Sequence, residues 1–565
     1  MKSPLRYLLI VPPLAFLGVF YFYPLISIFG LSLAPRGSWE IDKLYQLVAN
    51  SYYLRVLWFT TWQAGLSTLL TLMLALPGAY VFARYEFRGK AMLQSLVTVP
   101  FVLPTVVTAA AFRALLGPGG LVNTGLMTAF DLERPPINID HTVWFFLLAH
   151  VFYNYTVIVR LVGGFWARLP RDVNEAARML GASRRQVFVK VTLPLLMPSV
   201  LAASLLIFVF CFTSFGVILI LGGPRLATVE VEIYRQAVHL FNLPMAAALS
   251  LVQILFVFAL MWLYTGLERR SAVSLMPAMS RNGTRASARS RFDSIMIGGS
   301  TTFLLLLLGA PLAALVLSSL LTGSGAGLTY YLGLFKNSAQ SILYVTPIRA
   351  MANSLGFALA ATAIALILGW CSAAFLAGRR SWMTGLFDPV FMLPLSTSAV
   401  TLGFGFIIAL DEPPLNLRTS VVLPAVAHAM VAFPFVIRSL LPAWRGIPQS
   451  LREAAAVLGA SPLKVWQAVD WPILGRAMVV GAIFAFAISM GEFGATVFVA
   501  RPQTPTLPLA IYRYLTHPGA MNYGQAMAMC CILMVTTAIG FVLLEKIRLE
   551  VVSKPQITSK DKASI

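Results

Sequence analysis

Glu175-Ala176-Ala177-Arg178-Met179-Leu180-Gly181-Ala182-Ser183, followed by Val187, Val191 and Pro194, is matched 278 residues later by a second copy. That copy is Glu453-Ala454-Ala455-Ala456-Val457-Leu458-Gly459-Ala460-Ser461, followed by Val465, Val469 and Pro472. The same offset holds for His150/His428, Arg160/Arg438, Phe215-Gly216/Phe493-Gly494, Thr228/Thr506 and Ile233-Tyr234-Arg235/Ile511-Tyr512-Arg513. A register kept over about a hundred residues marks a duplication, with a repeat of about half the chain. Upstream of His150 the offset grows to 295 at Arg84/Arg379 and 294 at Pro100/Pro394. The loop 117–141 therefore exceeds its partner 411–419 by about 16 residues, as a surface loop can and a packed span cannot.

Composition sets the solvent. With 58% hydrophobic residues, 11% charged residues and a mean hydropathy of +0.80, most of the chain cannot sit in water. A bilayer crossing takes about 20 apolar residues. Twelve such runs are predicted, near 7–33, 56–83, 91–116, 142–163, 198–221, 243–264, 293–321, 353–378, 386–410, 420–441, 474–499 and 524–544. The first imitates a signal peptide, but its apolar run is too long for one and Pro35 follows Ser32-Leu33-Ala34, so it reads as a span. The fold class is all-α and polytopic, with six spans per half.

The net charge of +21 reports topology rather than nucleic acid. With the N-terminus inside, the cytoplasmic segments hold 27 Lys/Arg, the external loops 11, and the spans or their edges 4. That is the positive-inside pattern. It places both termini and the basic linker 266–292, with Arg281, Arg285 and Arg289, in the cytoplasm. Cys211, Cys371, Cys530 and Cys531 all fall in predicted spans and read as packing residues. No metal cluster, cofactor motif or catalytic set is recognisable, so none is expected. Nor is there a G-x-x-x-x-G-K-[ST] loop, so any ATP hydrolysis belongs to a separate chain.

Each copy of the opening stretch lies between the fourth and fifth spans of its half, on the inside. Glu-Ala-Ala and its neighbours favour a short helix, Gly181 or Gly459 ends it, and Ser183 or Ser461 caps a second one. Such a hairpin, repeated at matched topology, reads as a docking element with one carboxylate, Glu175 or Glu453, on each copy.

These residues resemble the EAA loop of permease subunits of binding-protein-dependent type I ABC importers. Glu175-Ala176-Ala177, Gly181 and Leu193-Pro194 fit the family pattern; Glu453-Ala454-Ala455, Gly459 and Pro472 fit it with Trp471 in place of Leu. The fused form is similar to the iron(III) and thiamine permeases. The resemblance implies tandem six-helix permease domains at 1–265 and 293–548, with EAA loops at 170–194 and 448–472 and a cytoplasmic tail at 549–565. It further implies a bacterial inner-membrane location and two copies of a cytoplasmic ATPase docked on the loops. An external solute-binding protein is implied as well. A secondary transporter of six plus six spans would share the gross layout, but has no need of two matched docking hairpins.

The intramembrane ionisable group that stands out is Glu492, whose counterpart is Ser214, and the pair are candidates for lining a translocation path. Tyr234-Arg235 and Tyr512-Arg513 follow spans five and eleven outside, and are candidates for the face that meets the binding protein or the scoop beneath it, or equally for an aromatic and Arg anchor at the headgroup level. The cargo is read as iron(III) or thiamine, with polyamines and phosphonates behind. The run Gly491–Ala495 resembles iron, molybdate and sulfate permeases, whereas Thr228–Tyr234 and His150–Asn154 look more like thiamine permeases.

Overall fold

A computed structural model describes residues 8–35, 39, 42–169, 171–272, 290–322, 325–336, 343–378, 381–411, 413 and 415–553. Most of the linker 266–292, the last residues of the tail, and Pro170 and Arg379 lie outside the described residues. Among the described residues eleven helices are long and apolar enough to cross a bilayer, and the pair Trp382–Ser396 and Ala399–Ala409, bent by 95°, makes a twelfth when read as one span. Apart from a two-stranded ribbon, Leu321–Thr322 with Gly325–Ala326, the described regular structure is helical. This suits lipid, where a helix satisfies its own backbone groups. Leu255, Phe258, Trp262, Leu306, Leu359 and Ile367 are exposed on these helices, on faces that suit acyl chains.

Four of the expected spans are broken rather than continuous. The third, expected at 91–116, is Lys90–Val102 followed by Thr105–Leu116, and the ninth, expected at 386–410, is the bent pair. Pro104 explains the first break: its ring pushes Leu103 to an extended backbone and it brings no amide hydrogen. The matching break uses another device, Ser398, whose hydroxyl accepts from the amides of Val400 and Thr401. The fifth and eleventh spans, expected at 198–221 and 474–499, end at Phe212 and Gly491 and resume as the short helices Gly216–Leu221 and Thr496–Val499. The long loop 117–141 is also not wholly irregular, since Leu121–Phe130 is helical.

The halves exchange their first helices. Val11–Leu33 packs on Leu243–Ala272 of its own half and on Pro347–Leu376 and Ala399–Ala409 of the other. Arg291–Leu320 likewise packs on its own Ala520–Ser553 and on Ser51–Arg84 and Thr105–Leu116 opposite. Polar contacts tie both exchanges: Tyr21 Oη to Thr397 Oγ1 at 2.6 Å, and Tyr85 Oη donating to Asp293 Oδ1 at 2.8 Å. One core runs through both halves, with Phe112, Phe152 and Phe215 beside Phe404, Phe493 and Tyr514.

Candidate functional site

The two matched hairpins have one construction. Arg171–Met179 and Gln449–Val457 each end in a left-handed glycine, Gly181 at φ +85° and Gly459 at φ +80°. The amides of Ala182 and Ala460 reach back to the carbonyls of Ala177 and Ala455, both at 3.1 Å, which closes the helix end. Nothing lies within 4 Å of where a Cβ would stand on either glycine, so backbone conformation rather than space selects the residue. Ser183 and Ser461 then cap the second turn, accepting from the amides of Gln186 and Lys464.

After each cap comes a π turn, Phe188–Thr192 or Trp466–Asp470, ending just before Pro194 or Pro472. The missing amide of those prolines disfavours an unbroken α ladder there. A clamp joins the two arms of each hairpin at matched positions but with different chemistry. Thr192 Oγ1 donates to Asn174 Oδ1 at 3.2 Å, and Arg452 Nε donates to Asp470 Oδ1 at 2.7 Å.

The apolar tips are unusual. Met179 and Leu180 are 88% and 89% exposed, and Val457 and Leu458 are both 87% exposed. Glu175-Ala176 and Glu453-Ala454 are exposed beside them, while Ala177 and Ala455 are half-buried. Gln449 donates to Glu453 at 2.8 Å.

Ser214 and Glu492 lie in the two breaks and line one cavity of about 410 Å³. His150 and His428, also counterparts, each hold a break. His150 Nδ1 meets Ser67 Oγ at 2.8 Å and its Nε2 meets Ser214 Oγ at 2.9 Å. His428 Nδ1 meets Ser489 Oγ at 2.7 Å, and its Nε2 lies 2.8 Å from Thr496 Oγ1 and 3.6 Å from Glu492 Oε2.

Glu492 is more heavily engaged than Ser214. Its carboxylate accepts from the Ala495 amide at 2.9 Å, the Thr496 amide at 3.0 Å and Thr496 Oγ1 at 2.7 Å. It therefore caps the helix that resumes after the break while facing the cavity. Aromatic rings, among them Tyr153, Phe210, Phe435 and Phe484, make much of the remaining wall. No group of three His, Cys, Asp or Glu suited to a metal ion occurs among the described residues.

Across the cavity Phe215 and Phe493, each other's counterparts, stack with centroids 5.5 Å apart, so the pseudo-twofold axis passes between them. Tyr234 stands edge-on to Phe215 at 5.6 Å and Tyr512 tilts against Phe493 at 5.5 Å, which completes a four-ring plug. Tyr234 is only 7% exposed; both tyrosines turn into the molecule. Arg235 and Arg513 are partly exposed. Arg235 lies 3.8 Å from Glu232 and over the Tyr52 ring.

The buried carboxyl groups near this plug gave no distinct signal in the sequence. Glu232 accepts from Tyr52 Oη at 2.7 Å and Gln236 Nε2 at 2.6 Å. Glu230 is fully buried, and burial pushes its carboxyl up to about 8. The signal available was the pair's place in Thr228–Tyr234, where the second copy has Pro508 and Ala510 instead.

Residues 67–273 match the family of the binding-protein-dependent transport system inner membrane component. The thiamine transport system permease protein of Brucella abortus is 27% identical over 490 residues, 86% of each chain. That of Escherichia coli is 27% identical over 529 residues, 91% of this chain and 92% of the relative. A probable ABC transporter permease of Sinorhizobium fredii is 25% identical over 93% of this chain and 92% of its own. Among solved structures, a bacterial ABC transporter involved in the import of alginate is 20% identical, covers 47% of this chain and 95% of the matched one, and has a TM-score of 0.41. The matched domain and the relatives along most of its length make this chain a permease subunit of an ABC importer. Within that class it is a fused form, two permease units in one multi-pass membrane polypeptide, and it is not itself an enzyme.

Proposed function

We propose that this permease carries thiamine, delivered by an external binding protein, across the bacterial inner membrane while two copies of a cytoplasmic ATPase drive it. In this reading 1–265 and 293–548 are the two permease domains, and both termini and the linker 266–292 are cytoplasmic. The observation that carries the coupling is the matched pair of exposed apolar tips, Met179-Leu180 and Val457-Leu458. Four large side chains held in water at two repeat-related points fit insertion into a cleft on a partner. Glu175 and Glu453 stand one turn back, where each can meet a basic group at the rim.

Closure of the ATPase pair would then press on two rigid hairpins. Through the clamps and Pro194 and Pro472, the movement would reach the helices Leu193–Phe212 and Trp471–Gly491, and so the breaks at Ser214 and Glu492. On this reading the four-ring plug is the outer closure of the path, with Arg235 and Arg513 at its rim towards the binding protein.

Thiamine is favoured over iron(III) by the relatives and by the cavity wall. A hard trivalent ion takes several anionic oxygens, whereas this wall offers one carboxylate among rings. Rings and a single negative charge suit a planar organic cation, and the volume suits a small molecule.

The test uses proteoliposomes with the cognate ATPase and binding protein. Met179→Asp with Leu180→Asp, or Val457→Asp with Leu458→Asp, should abolish ATPase co-purification or substrate-stimulated hydrolysis while the chain still inserts. Full coupling in the fourfold variant would remove the hairpins from the mechanism. Uptake of labelled iron(III) but not thiamine by the wild type would overturn the cargo alone.

A further inference from the structure

Glu230, on the short helix Val229–Tyr234, is the centre of a buried polar group that spans the two halves. Gln253 donates its side-chain amide to this carboxyl, and Ser398 of the other half lies beside it. Ser250 stands one turn before Gln253 and Thr401 one turn beyond Ser398, each on the same helix face as its neighbour. Glu230, Ser250 and Thr401 are 0% exposed and Gln253 is 2% exposed. Four side-chain oxygens of these residues, Glu230 Oε2, Gln253 Oε1, Ser250 Oγ and Thr401 Oγ1, have no hydrogen-bond partner among the described residues. Among the described residues no Lys, Arg or His forms an ion pair with Glu230.

The duplication supplies a control. At the offset of 278, Glu230, Ser250 and Gln253 correspond to Pro508, Ala528 and Cys531; at 294, Ser398 and Thr401 correspond to Pro104 and Val107. The counterpart helices meet in the same way, Val229–Tyr234 against Ala399–Ala409 and Leu507–Thr516 against Thr105–Leu116. At none of these five positions does the second copy place a side-chain oxygen. Packing alone does not require the polar set, and unmet buried oxygens are destabilising unless something satisfies them.

We propose that Glu230, Gln253, Ser250, Ser398 and Thr401 form a site for one monovalent metal cation, sodium or potassium, held between the two halves. The donors are all oxygen and one is a carboxylate, which matches a hard ion of single charge. A proton on Glu230 would add one donor and leave most of the unmet oxygens as they are; a cation engages several together. The site is separate from the coupling hairpins, and through Ser398 it adjoins the wall of the cavity that holds Ser214 and Glu492.

The test measures unfolding temperature of the full chain in detergent as NaCl or KCl replaces choline chloride at constant ionic strength. A bound cation stabilises the folded state by mass action, so a saturable rise of several degrees with at least one ion is expected. Glu230→Gln should lose the response. Ser250→Ala with Thr401→Val, which installs the residues of the apolar copy, should lose or strongly weaken it while preserving packing. A wild type indifferent to both ions overturns the site, leaving Glu230 protonated or bonded to water. So does a Glu230→Gln protein with the wild-type response. Should Glu230→Gln fail to fold, an undiminished response in the double variant overturns it equally.

Discussion

Ser214 and Glu492 occupy equivalent positions and hold their breaks by unequal means. Ser214 has one side-chain partner, His150, whereas Glu492 satisfies two amides and a hydroxyl at the start of Thr496–Val499. Removing a buried acceptor strands its donors at about 1–3 kcal/mol apiece. Glu492→Ala should therefore lower the unfolding temperature well beyond Ser214→Ala, compared in one detergent, and equal shifts would contradict the capping role. The prominence of Glu492 was legible, because an acid inside an apolar run is rare; its function as a cap was not. That depends on a chain break which brings the amides of Ala495 and Thr496 round to its own carboxylate. Tyr234 and Tyr512 teach a similar lesson. Their position after a span was plain, but the direction of a ring is decided by Phe215 and Phe493, which come from other segments.

Among elements, the hairpins were the most legible, since glycine and serine at fixed spacing encode a left-handed turn followed by a cap. A side chain at Gly181 or Gly459 meets no steric obstacle, so the cost is that of the left-handed backbone, about 1–2 kcal/mol. Gly181→Ala with Gly459→Ala should leave the spans intact and reduce substrate-stimulated ATP hydrolysis several-fold in proteoliposomes. Unaltered stimulation would show that the bend tolerates other geometry. The broken spans were hidden for a physical reason. Hydropathy counts apolar residues along the chain and is blind to a change of direction, so two half-helices at 95° read as one span. Pro104 and the glycines that approach neighbouring segments closely, Gly216 beside Thr105 and Gly494 beside Ala399, were the marks of those breaks.

At the scale of the molecule, duplication was written in the register, whereas the exchange of first helices was not, because contacts between distant segments leave no periodic trace. The membrane topology can be checked with single cysteines. Cysteines at Ser287 and Ser564 should react with an impermeant maleimide only after permeabilisation, and those at Ser38 and Thr516 should react from outside. External labelling at Ser287 would reverse the orientation and put the hairpins on the wrong side for an ATPase.

The exchanged helices also bear on how such a chain could arise and drift. Each first helix packs on both halves, so a single half without the link would need a second copy to cover the same faces. Fusion made that pairing intramolecular and independent of concentration. It also released the two copies from having to be identical. In a homodimer any acid placed at one break appears at both, whereas a fused chain can carry Glu492 without a second carboxylate at Ser214, and Glu230 opposite nothing more polar than Pro508. The departures from symmetry are thus a record of what selection did with the freedom that a single peptide link conferred.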